Sequence, residues 1–245
     1  MLDYQAPSDL LQDKVILVTG ASDGIGKAVA LGYASVGATV ILHGRKIENL
    51  EKVYDSIVAK GFPQPAILPL DLNTATPQDY KSMAITIQTE LGRLDGILHN
   101  AAAISDLSPI EFTEIDRWQE IMQVNINAVF MLTQACLPLL KQSPDASIIT
   151  TSSGVGKKGR AFWGPYAVSK FAVEGFTQVL ADELDDTNIR VNAINPGATQ
   201  TKMRAKAFPA EDASLLQTPD SLIPLYQYLM GTDSKEINGQ SINAK

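Results

Sequence analysis

Short apolar runs alternate with longer helical patterns along this chain from Lys14 onward. Strands are predicted at 14–19, 39–43, 66–70, 96–99, 147–151 and 190–194, with a seventh at 240–243. Their high content of Val, Ile and Leu is typical of strands that are covered on both faces. Helices are predicted at 25–36, 46–59, 77–91, 114–141, 165–185 and 219–230. This alternation predicts an α/β fold, a doubly wound parallel sheet of about seven strands flanked by helices.

The pattern contains no linker and no internal repeat, which predicts a single domain over residues 1–245. Residues 1–13 precede the first strand and are expected to form an N-terminal extension. Residues 198–218 have no clear period, and a loop of that length in a compact domain often covers a binding site. We therefore expect this segment to form a lid over a substrate pocket.

Composition and charge exclude several classes of protein. With 27 acidic and 20 basic residues the net charge is -7, which argues against a nucleic-acid-binding protein. One cysteine and two histidines cannot build a disulfide framework or a common zinc site, so no metal is expected. No basic N-terminal region marks a signal peptide, and Thr133 and Pro138 interrupt the longest apolar stretch, so no membrane span is predicted. We expect a soluble, cytoplasmic protein.

A glycine-rich turn follows the first predicted strand and opens the first helix. Glycine permits tight turns and lets backbone N–H groups and the helix N-terminus approach a pyrophosphate closely. Glycine clusters also make ordinary turns, but the strand before this one and the helix after it favour phosphate binding. The residues of the turn expected to contact a dinucleotide are Gly20, Asp23, Gly24, Ile25 and Gly26.

The end of the second strand bears on the choice between the two nicotinamide cofactors. No Asp or Glu follows His43, whereas a carboxylate there would accept hydrogen bonds from the ribose 2′-hydroxyl of NAD. Arg45 is available to pair with the 2′-phosphate of NADP. Against this, Arg45 and Lys46 could be solvated loop residues, and the carboxylate of Asp23 would weaken phosphate binding. The sequence favours NADP(H), with NAD(H) as the alternative.

A tyrosine and a lysine lie four residues apart in the predicted helix 165–185 and therefore share one helical face. Tyrosine titrates near ~10, so Tyr166 needs a nearby positive charge to exchange protons near neutrality, and Lys170 is placed to provide it. This spacing is common by chance. Its position is informative because Ser153, at the end of the fifth strand, precedes Tyr166 by a glycine-containing loop that allows the two hydroxyls to meet.

Together, these motifs resemble those of the short-chain dehydrogenase/reductase family, and the resemblance extends from Lys14 to about Asn243. The matching elements are residues 19–26, Asp71-Leu72, Asn100-Ala101, Asn125, Ser153, Tyr166, Lys170 and Asn195-Pro196-Gly197 followed by Thr201. More narrowly, segments 94–100, 122–140, 163–175 and 203–212 resemble the YciK-type bacterial oxidoreductases.

The resemblance implies a Rossmann fold and an oxidoreductase that transfers a hydride between NADP(H) and a carbonyl or secondary alcohol. It assigns Tyr166 as general acid and base, and Ser153 as the hydrogen-bond partner of the substrate oxygen. Lys170 would lower the pKa of the phenol and hold the nicotinamide ribose, while Asn125 would anchor a water that relays protons to Lys170.

The resemblance also implies further cofactor contacts beyond the glycine turn. They are Ser22 and Arg45 at the adenosine phosphate, Asp71 and Leu72 at the adenine, Asn100 and Ala101 along the sugar-phosphate chain, Pro196 and Gly197 beside the cofactor, and Thr201 at the nicotinamide carboxamide.

Two other functions stay open. Ala102 stands where the family usually has glycine, and little chain follows the seventh strand to cover the pocket. Both features favour a cofactor-binding sensor or scaffold with little turnover, although the complete set of Asn125, Ser153, Tyr166 and Lys170 argues against it. An epimerase or dehydratase with tightly held NAD is a third candidate, but such relatives usually have another glycine spacing and a larger substrate domain.

Helices 114–141 and 165–185 carry more apolar positions than one sheet face can cover. Large exposed apolar patches are uncommon on monomers, so a homodimer or homotetramer is expected. The candidates for the shared surface are Met131, Leu132, Ala135, Phe171, Phe176 and Val179.

Overall fold

Seven parallel strands form one sheet in the order β3-β2-β1-β4-β5-β6-β7 in a computed structural model that describes residues 1–244. Each strand ends within one residue of its predicted boundary. The strands are β1 (Val15–Thr19), β2 (Thr39–Gly44), β3 (Ala66–Pro69), β4 (Gly96–His99), β5 (Ala146–Thr151), β6 (Ile189–Asn195) and β7 (Ser241–Asn243).

Helices cover both faces of the sheet, as the continuous apolar character of the strands requires. They are α1 (Gly24–Ala34), α2 (Ile47–Ala59), α3 (Pro77–Leu91), α4 (Ile115–Met122), α5 (Ala128–Leu140), α6 (Gly164–Glu183), α7 (Lys202–Ala207) and α8 (Ile223–Met230). Helices α1, α2 and α8 bury their apolar side chains on one face, and α3, α5 and α6 on the other. The predicted α/β Rossmann fold is confirmed.

Two segments differ from the sequence-based prediction. The helix predicted at 114–141 is interrupted by a π-helical turn, Gln123–Asn127, which separates α4 from α5. The segment 198–218 contains α7, whose six residues are too few to show a period. A hydroxyl cap begins this helix, because the Oγ1 of Thr201 accepts a hydrogen bond from the backbone N–H of Arg204 at 3.1 Å.

The span Ile115–Leu140 is long and apolar enough to cross a membrane, with a mean hydropathy of 1.3. In the fold, this span packs against the sheet and α3 instead, and Leu132, Cys136 and Leu140 belong to the core. Such burial is typical of the core helix of an α/β domain. Leu132 is 1% exposed, so its predicted place on a subunit surface is wrong: the sheet of its own chain already covers it.

The strand order reverses direction where β1 adjoins β4. On either side of this junction the connections leave the sheet toward opposite faces, which opens a crevice at the carboxyl ends of the strands. The glycine turn follows β1, and the segment beginning at Asn100 follows β4, so both lie at the mouth of this crevice.

Candidate active site

A cleft of about 610 Å³ lies along the carboxyl edge of the sheet at this junction. Most of the residues proposed from the sequence line it, although they come from widely separated parts of the chain. The lining includes Gly20, Ser22, Asp23, Gly24, Ile25, Arg45, Asp71, Leu72, Asn100, Ala101, Ser153, Tyr166, Lys170, Pro196, Gly197 and Thr201. Gly26 and Asn125 lie outside the lining.

The glycine turn is built for close backbone approach. Gly20 and Gly24 have φ angles of 68° and 53°, a region that glycine enters with little strain. A Cβ atom on Gly26 would lie 2.6 Å from the Nδ2 atom of Asn100 and would also collide with the carbonyl oxygen of Gly20. Gly26 therefore lets α1 pack closely against the turn, and its predicted contact with a cofactor stays a prediction.

The hydroxyl of Thr19 joins the ends of β1 and β4. It donates to the carbonyl oxygen of Leu98 at 3.2 Å and accepts from the backbone N–H groups of Asn100 at 2.9 Å and Ala101 at 3.1 Å. The side chain of Asn100 in turn donates to the carbonyl oxygen of Thr19 at 3.3 Å. These bonds join the glycine turn to the segment after β4, and both line the cleft.

Asp23 forms an ion pair with Lys202 of α7, with 2.9 Å between Oδ2 and Nζ. The hydrogen bond from Lys202 lowers the pKa of the Asp23 carboxyl group, so that Asp23 is ionised at neutral pH. Its negative charge is therefore partly balanced by a cation of the lid segment. The ion pair with Lys202 therefore reduces the electrostatic repulsion expected between Asp23 and a bound phosphate.

Arg45 differs from the other cations that line the cleft. Those cations already have partners: Arg117 pairs with Glu120, Lys202 with Asp23, Arg204 with Glu211, Lys206 with Asp106, and Lys170 donates to the carbonyl oxygen of Thr151. Arg45 has no ion pair or side-chain hydrogen bond within residues 1–244, and it is exposed. Burial lowers the pKa of the adjacent His43 to about 4, so the positive charge at this end of the cleft comes from Arg45.

Ser153, Tyr166 and Lys170 meet at the other end of the cleft. Tyr166 is 8% exposed, and Lys170 is 3% exposed with its Nζ atom 5.6 Å from the centroid of the Tyr166 ring. Burial raises the pKa of the Tyr166 hydroxyl to about 12, while a hydrogen bond with Ser153 acts in the opposite direction. Burial also lowers the pKa of Lys170 to about 8, an effect that the charge of Glu174 opposes.

The sequence predicts that Lys170 lowers the pKa of Tyr166, whereas here burial raises it and the hydrogen bond with Ser153 is the opposing contribution. The ammonium group of Lys170 is directed to the carbonyl oxygen of Thr151, at 2.7 Å, rather than to the phenol. The phenol is a protonated group at neutral pH, which suits it to donate a proton rather than to accept one.

Asn125 lies in the π-helical turn, and its amide group is fully engaged behind the cleft. Its Nδ2 atom donates to the carbonyl oxygen of Ala103 and to the Oγ atom of Ser169, both at 3.0 Å, and its Oδ1 atom accepts from the N–H of Ala103 at 2.7 Å. Both amide hydrogens are thereby used. Asn125 ties α6 and the segment after β4 to the helix that carries it, and its part in a water relay stays a prediction.

An apolar wall lies beside Tyr166. Ile104, Trp163, Met203 and Ala207 pack together there and also line the cleft. The ring centroid of Trp163 is 5.7 Å from that of Tyr166 and 5.8 Å from that of Phe208. Trp163 thus contacts both Tyr166 and Phe208 of the segment 198–218. The neighbouring Phe162 is 56% exposed and lies outside the cleft lining.

Several residues that organise the site were not singled out in the sequence. Thr151 supplies a carbonyl oxygen to Lys170, Ser169 bonds Asn125, and Lys202 pairs with Asp23. Contacts of this kind join distant segments and leave no local pattern. Glu174 is the exception, because it follows Lys170 by four residues and therefore shares its helical face.

The family model for short chain dehydrogenase matches residues 14–212 of this chain. The oxidoreductase YciK of Escherichia coli (strain K12) is 51% identical over 244 residues, which cover 100% of this chain and 96% of that protein.

Solved structures show the same similarity. A short chain dehydrogenase of Escherichia coli CFT073, complexed with NADPH, has a TM-score of 0.95 and 52% identity, covering 98% of this chain and 100% of that one. A short chain dehydrogenase of Shigella flexneri 2a strain 301, complexed with NADP, has a TM-score of 0.94 and 51% identity, covering 97% and 99%.

Proposed function

Since this chain belongs to the short-chain dehydrogenase family, we propose that it is an NADP(H)-dependent enzyme that interconverts a carbonyl compound and a secondary alcohol. The observation that carries this proposal is the meeting of Ser153, Tyr166 and Lys170 in the same cleft as the glycine turn. The structures of its relatives with NADP and NADPH support the choice of cofactor. The alternative of a sensor or scaffold is not favoured, because it gives no reason for this set of side chains.

The residues at one end of the cleft would bind the cofactor, and those at the other end would act on the substrate. Gly20 and Gly24 would admit the phosphates of the cofactor, and Arg45 would meet its 2′-phosphate. When bound, NADPH supplies the hydride that reduces the carbonyl carbon. Tyr166 donates a proton from its hydroxyl to the substrate oxygen, and the Ser153 hydroxyl holds that oxygen by a hydrogen bond. Burial raises the pKa of Tyr166, so its hydroxyl carries the proton that this step requires near neutral pH.

The direct test is a panel of ketones, aldehydes and secondary alcohols, assayed by absorbance at about 340 nm with NADP(H) and NAD(H) in turn. We expect at least one carbonyl substrate to be reduced at the expense of NADPH. Tight NADPH binding without turnover on any member of a broad panel would instead support the sensor alternative.

Arg45 should determine the preference for NADPH over NADH. Charge-assisted hydrogen bonds to a phosphate contribute roughly 1.5–3 kcal/mol, so NADPH should bind about tenfold or more tightly than NADH. Arg45→Ala should remove most of this preference by weakening NADPH binding alone. Titration of both cofactors by fluorescence measures the two affinities.

Lys46→Ala is the matched control for this experiment, because Lys46 is the adjacent exposed cation and lies outside the cleft lining. It should leave both affinities almost unchanged. An equal loss of NADPH affinity in Arg45→Ala and Lys46→Ala would indicate a general electrostatic effect. Equal affinities of the unaltered protein for NADPH and NADH would contradict the predicted preference for NADPH.

The segment 198–218 is proposed as the lid of the substrate pocket. Met203 and Ala207 of α7 line the cleft beside Tyr166. Within the lid, the guanidinium group of Arg204 forms two hydrogen bonds of 2.6 Å with Glu211 and lies 3.9 Å from the Phe208 ring centroid. These contacts support movement of the lid as a unit.

We further propose that the enzyme is a homodimer or homotetramer in the cytoplasm. Phe130 of α5 and Phe171 and Val179 of α6 are about half exposed, which leaves an apolar surface on these helices. Light scattering at micromolar concentration should therefore show a dimer or larger species. Phe171→Glu should shift the protein toward the monomer, while Val58→Glu, a similar change on the opposite side of the sheet, should not. A monomer in the unaltered protein would contradict this prediction.

A further inference from the structure

The carboxylate of Glu174 is buried one helical turn beyond Lys170 and has no part in the mechanism above. It is 7% exposed. Its Oε1 atom accepts hydrogen bonds from the hydroxyl of Ser152, directly after β5, and from that of Ser241, the first residue of β7, the latter at 2.8 Å. Burying a carboxylate costs free energy unless the group is hydrogen-bonded and its charge is balanced. The two serines meet the first condition.

Lys170 meets the second condition. Residues four apart on a helix lie on one face, so the ammonium group of Lys170 and the carboxylate of Glu174 attract each other through the interior without forming a direct ion pair. Glu174 is the charged group that acts on the Lys170 pKa, and the titratable ring of Tyr166 lies 5.6 Å from the Nζ atom of Lys170. Thr151 at the end of β5, which accepts the hydrogen bond of Lys170, and Gly156, which lies against the backbone of Lys170, carry no charge.

The hydrogen bond between Glu174 and Ser152 also acts on the residues beside that serine. The carbonyl oxygen of Thr151 receives the hydrogen bond of Lys170, and Ser153 supplies the hydroxyl proposed to hold the substrate oxygen. The backbone N–H of Ser152 donates to the carbonyl oxygen of Ile194 in β6 at 2.7 Å. Ser152 is therefore fixed through both its backbone and its side chain, and its two neighbours are held with it.

We propose that Glu174 is a positioning residue that keeps Lys170 protonated and holds the segment containing Ser152 in place. The inference deepens the proposed function, on which it rests through the part given there to Lys170. Its support is the burial of both charges, their shared helical face and the two serine contacts. The direction of the electrostatic effect agrees, since the charge of Glu174 opposes the lowering of the Lys170 pKa by burial.

The test is the pH dependence of Glu174→Gln, which keeps the shape of the side chain and an oxygen acceptor but removes the charge. Without that charge Lys170 should lose its proton at lower pH. NADPH affinity and kcat/KM should each decline at high pH, and we call these declines the alkaline limbs. In Glu174→Gln both limbs should move to lower pH by about one unit, the order of effect expected for a nearby opposite charge. Glu174→Asp, which restores the charge, should bring both limbs back toward those of the unaltered protein.

Ser241→Ala is the matched control, because it removes one hydrogen bond from the same carboxylate and leaves the charge in place. It should lower the melting temperature without moving either limb. Where Glu174→Gln is insoluble, Glu174→Met is the second uncharged variant and should move the limbs in the same direction.

Uncharged variants that lower the melting temperature but keep the original pH dependence would overturn the proposal and leave Glu174 a purely structural residue. The affinity for NADPH makes this outcome distinguishable from failure of the proposed function. If no form of the protein turns over a substrate, the proposed function is wrong. The pH dependence of NADPH affinity in Glu174→Gln still shows whether Glu174 keeps Lys170 protonated.

Discussion

Tyr166→Phe is expected to reduce kcat by about 10²–10⁴-fold on any carbonyl substrate, the usual contribution of a general acid. The substitution removes the hydroxyl that would protonate the substrate oxygen. The ring remains, and with it the packing between Trp163 and Tyr166, whose centroids are 5.7 Å apart. NADPH affinity and the melting temperature should therefore stay close to those of the unaltered protein. Steady-state kinetics and a fluorescence titration measure the two effects separately.

Tyr80→Phe provides the matched control. The hydroxyl of Tyr80 is buried on α3, outside the cleft lining, and has no hydrogen-bond partner within residues 1–244. Removing it deletes an unsatisfied polar group, so stability should be unchanged or slightly higher and kcat should not fall. Retention of full activity by Tyr166→Phe would mean that the proton comes from another group, and the mechanism proposed for this cleft would be wrong.

The sequence predicted the fold well because the fold depends on local and periodic signals. Each parallel strand is covered on both faces, so it appears as an apolar run between turn residues. The glycine turn is equally local, since the positive φ angles of Gly20 and Gly24 favour a residue without a side chain. Periodicity was less informative at Gln123–Asn127, where the apolar pattern continues through the π-helical turn.

The chemistry of the cleft was predicted less completely, because it depends on which distant segments meet. Asp23 and Lys202 are far apart in sequence, and only the folded chain shows that the ion pair between them balances the carboxylate at the phosphate turn. The pKa of Tyr166 is a similar case. The spacing of Tyr166 and Lys170 predicts a lowered value, but the depth of burial, a tertiary property, raises it to about 12.

The protonation state of the free protein bears on how the site would work. A phenol with a raised pKa stays protonated, and an ammonium group with a pKa of about 8 is close to titration under ordinary conditions. Groups with perturbed pKa values in a cleft are typical of sites that transfer protons. Lys170 is thus the more pH-sensitive member of the pair, and cofactor binding should weaken as pH rises above about 8.

Lys170→Met should lower NADPH affinity and turnover together, in contrast to Tyr166→Phe. The substitution keeps the apolar stem of the side chain but removes the charge and the hydrogen-bond donor expected to hold the nicotinamide ribose. Loss of a charged hydrogen bond costs roughly 1.5–3 kcal/mol, so NADPH affinity should fall about tenfold or more. Turnover should decline by a larger factor, because the charge beside the phenol is lost as well. Isothermal titration calorimetry and initial rates measure the two losses.

The buried charge of Lys170 also makes the stability of the protein depend on pH. Burial lowers the pKa of Lys170 from 10.5 to about 8. Below pH 8 both the folded and the unfolded states carry the proton, so the folded state bears the full cost of the buried charge. Between pH 8 and 10.5 the folded state releases the proton first, and the free energy of unfolding rises with pH. Lys170→Met removes this cost but also removes the charge that reduces the cost of burying the Glu174 carboxylate, so the two effects offset each other at pH 7 and the prediction concerns the pH dependence. The melting temperature of Lys170→Met relative to that of the unaltered protein should fall as the pH rises from 8 to 10.5. Melting curves recorded across this range measure the change, and a constant difference between the two proteins would contradict it.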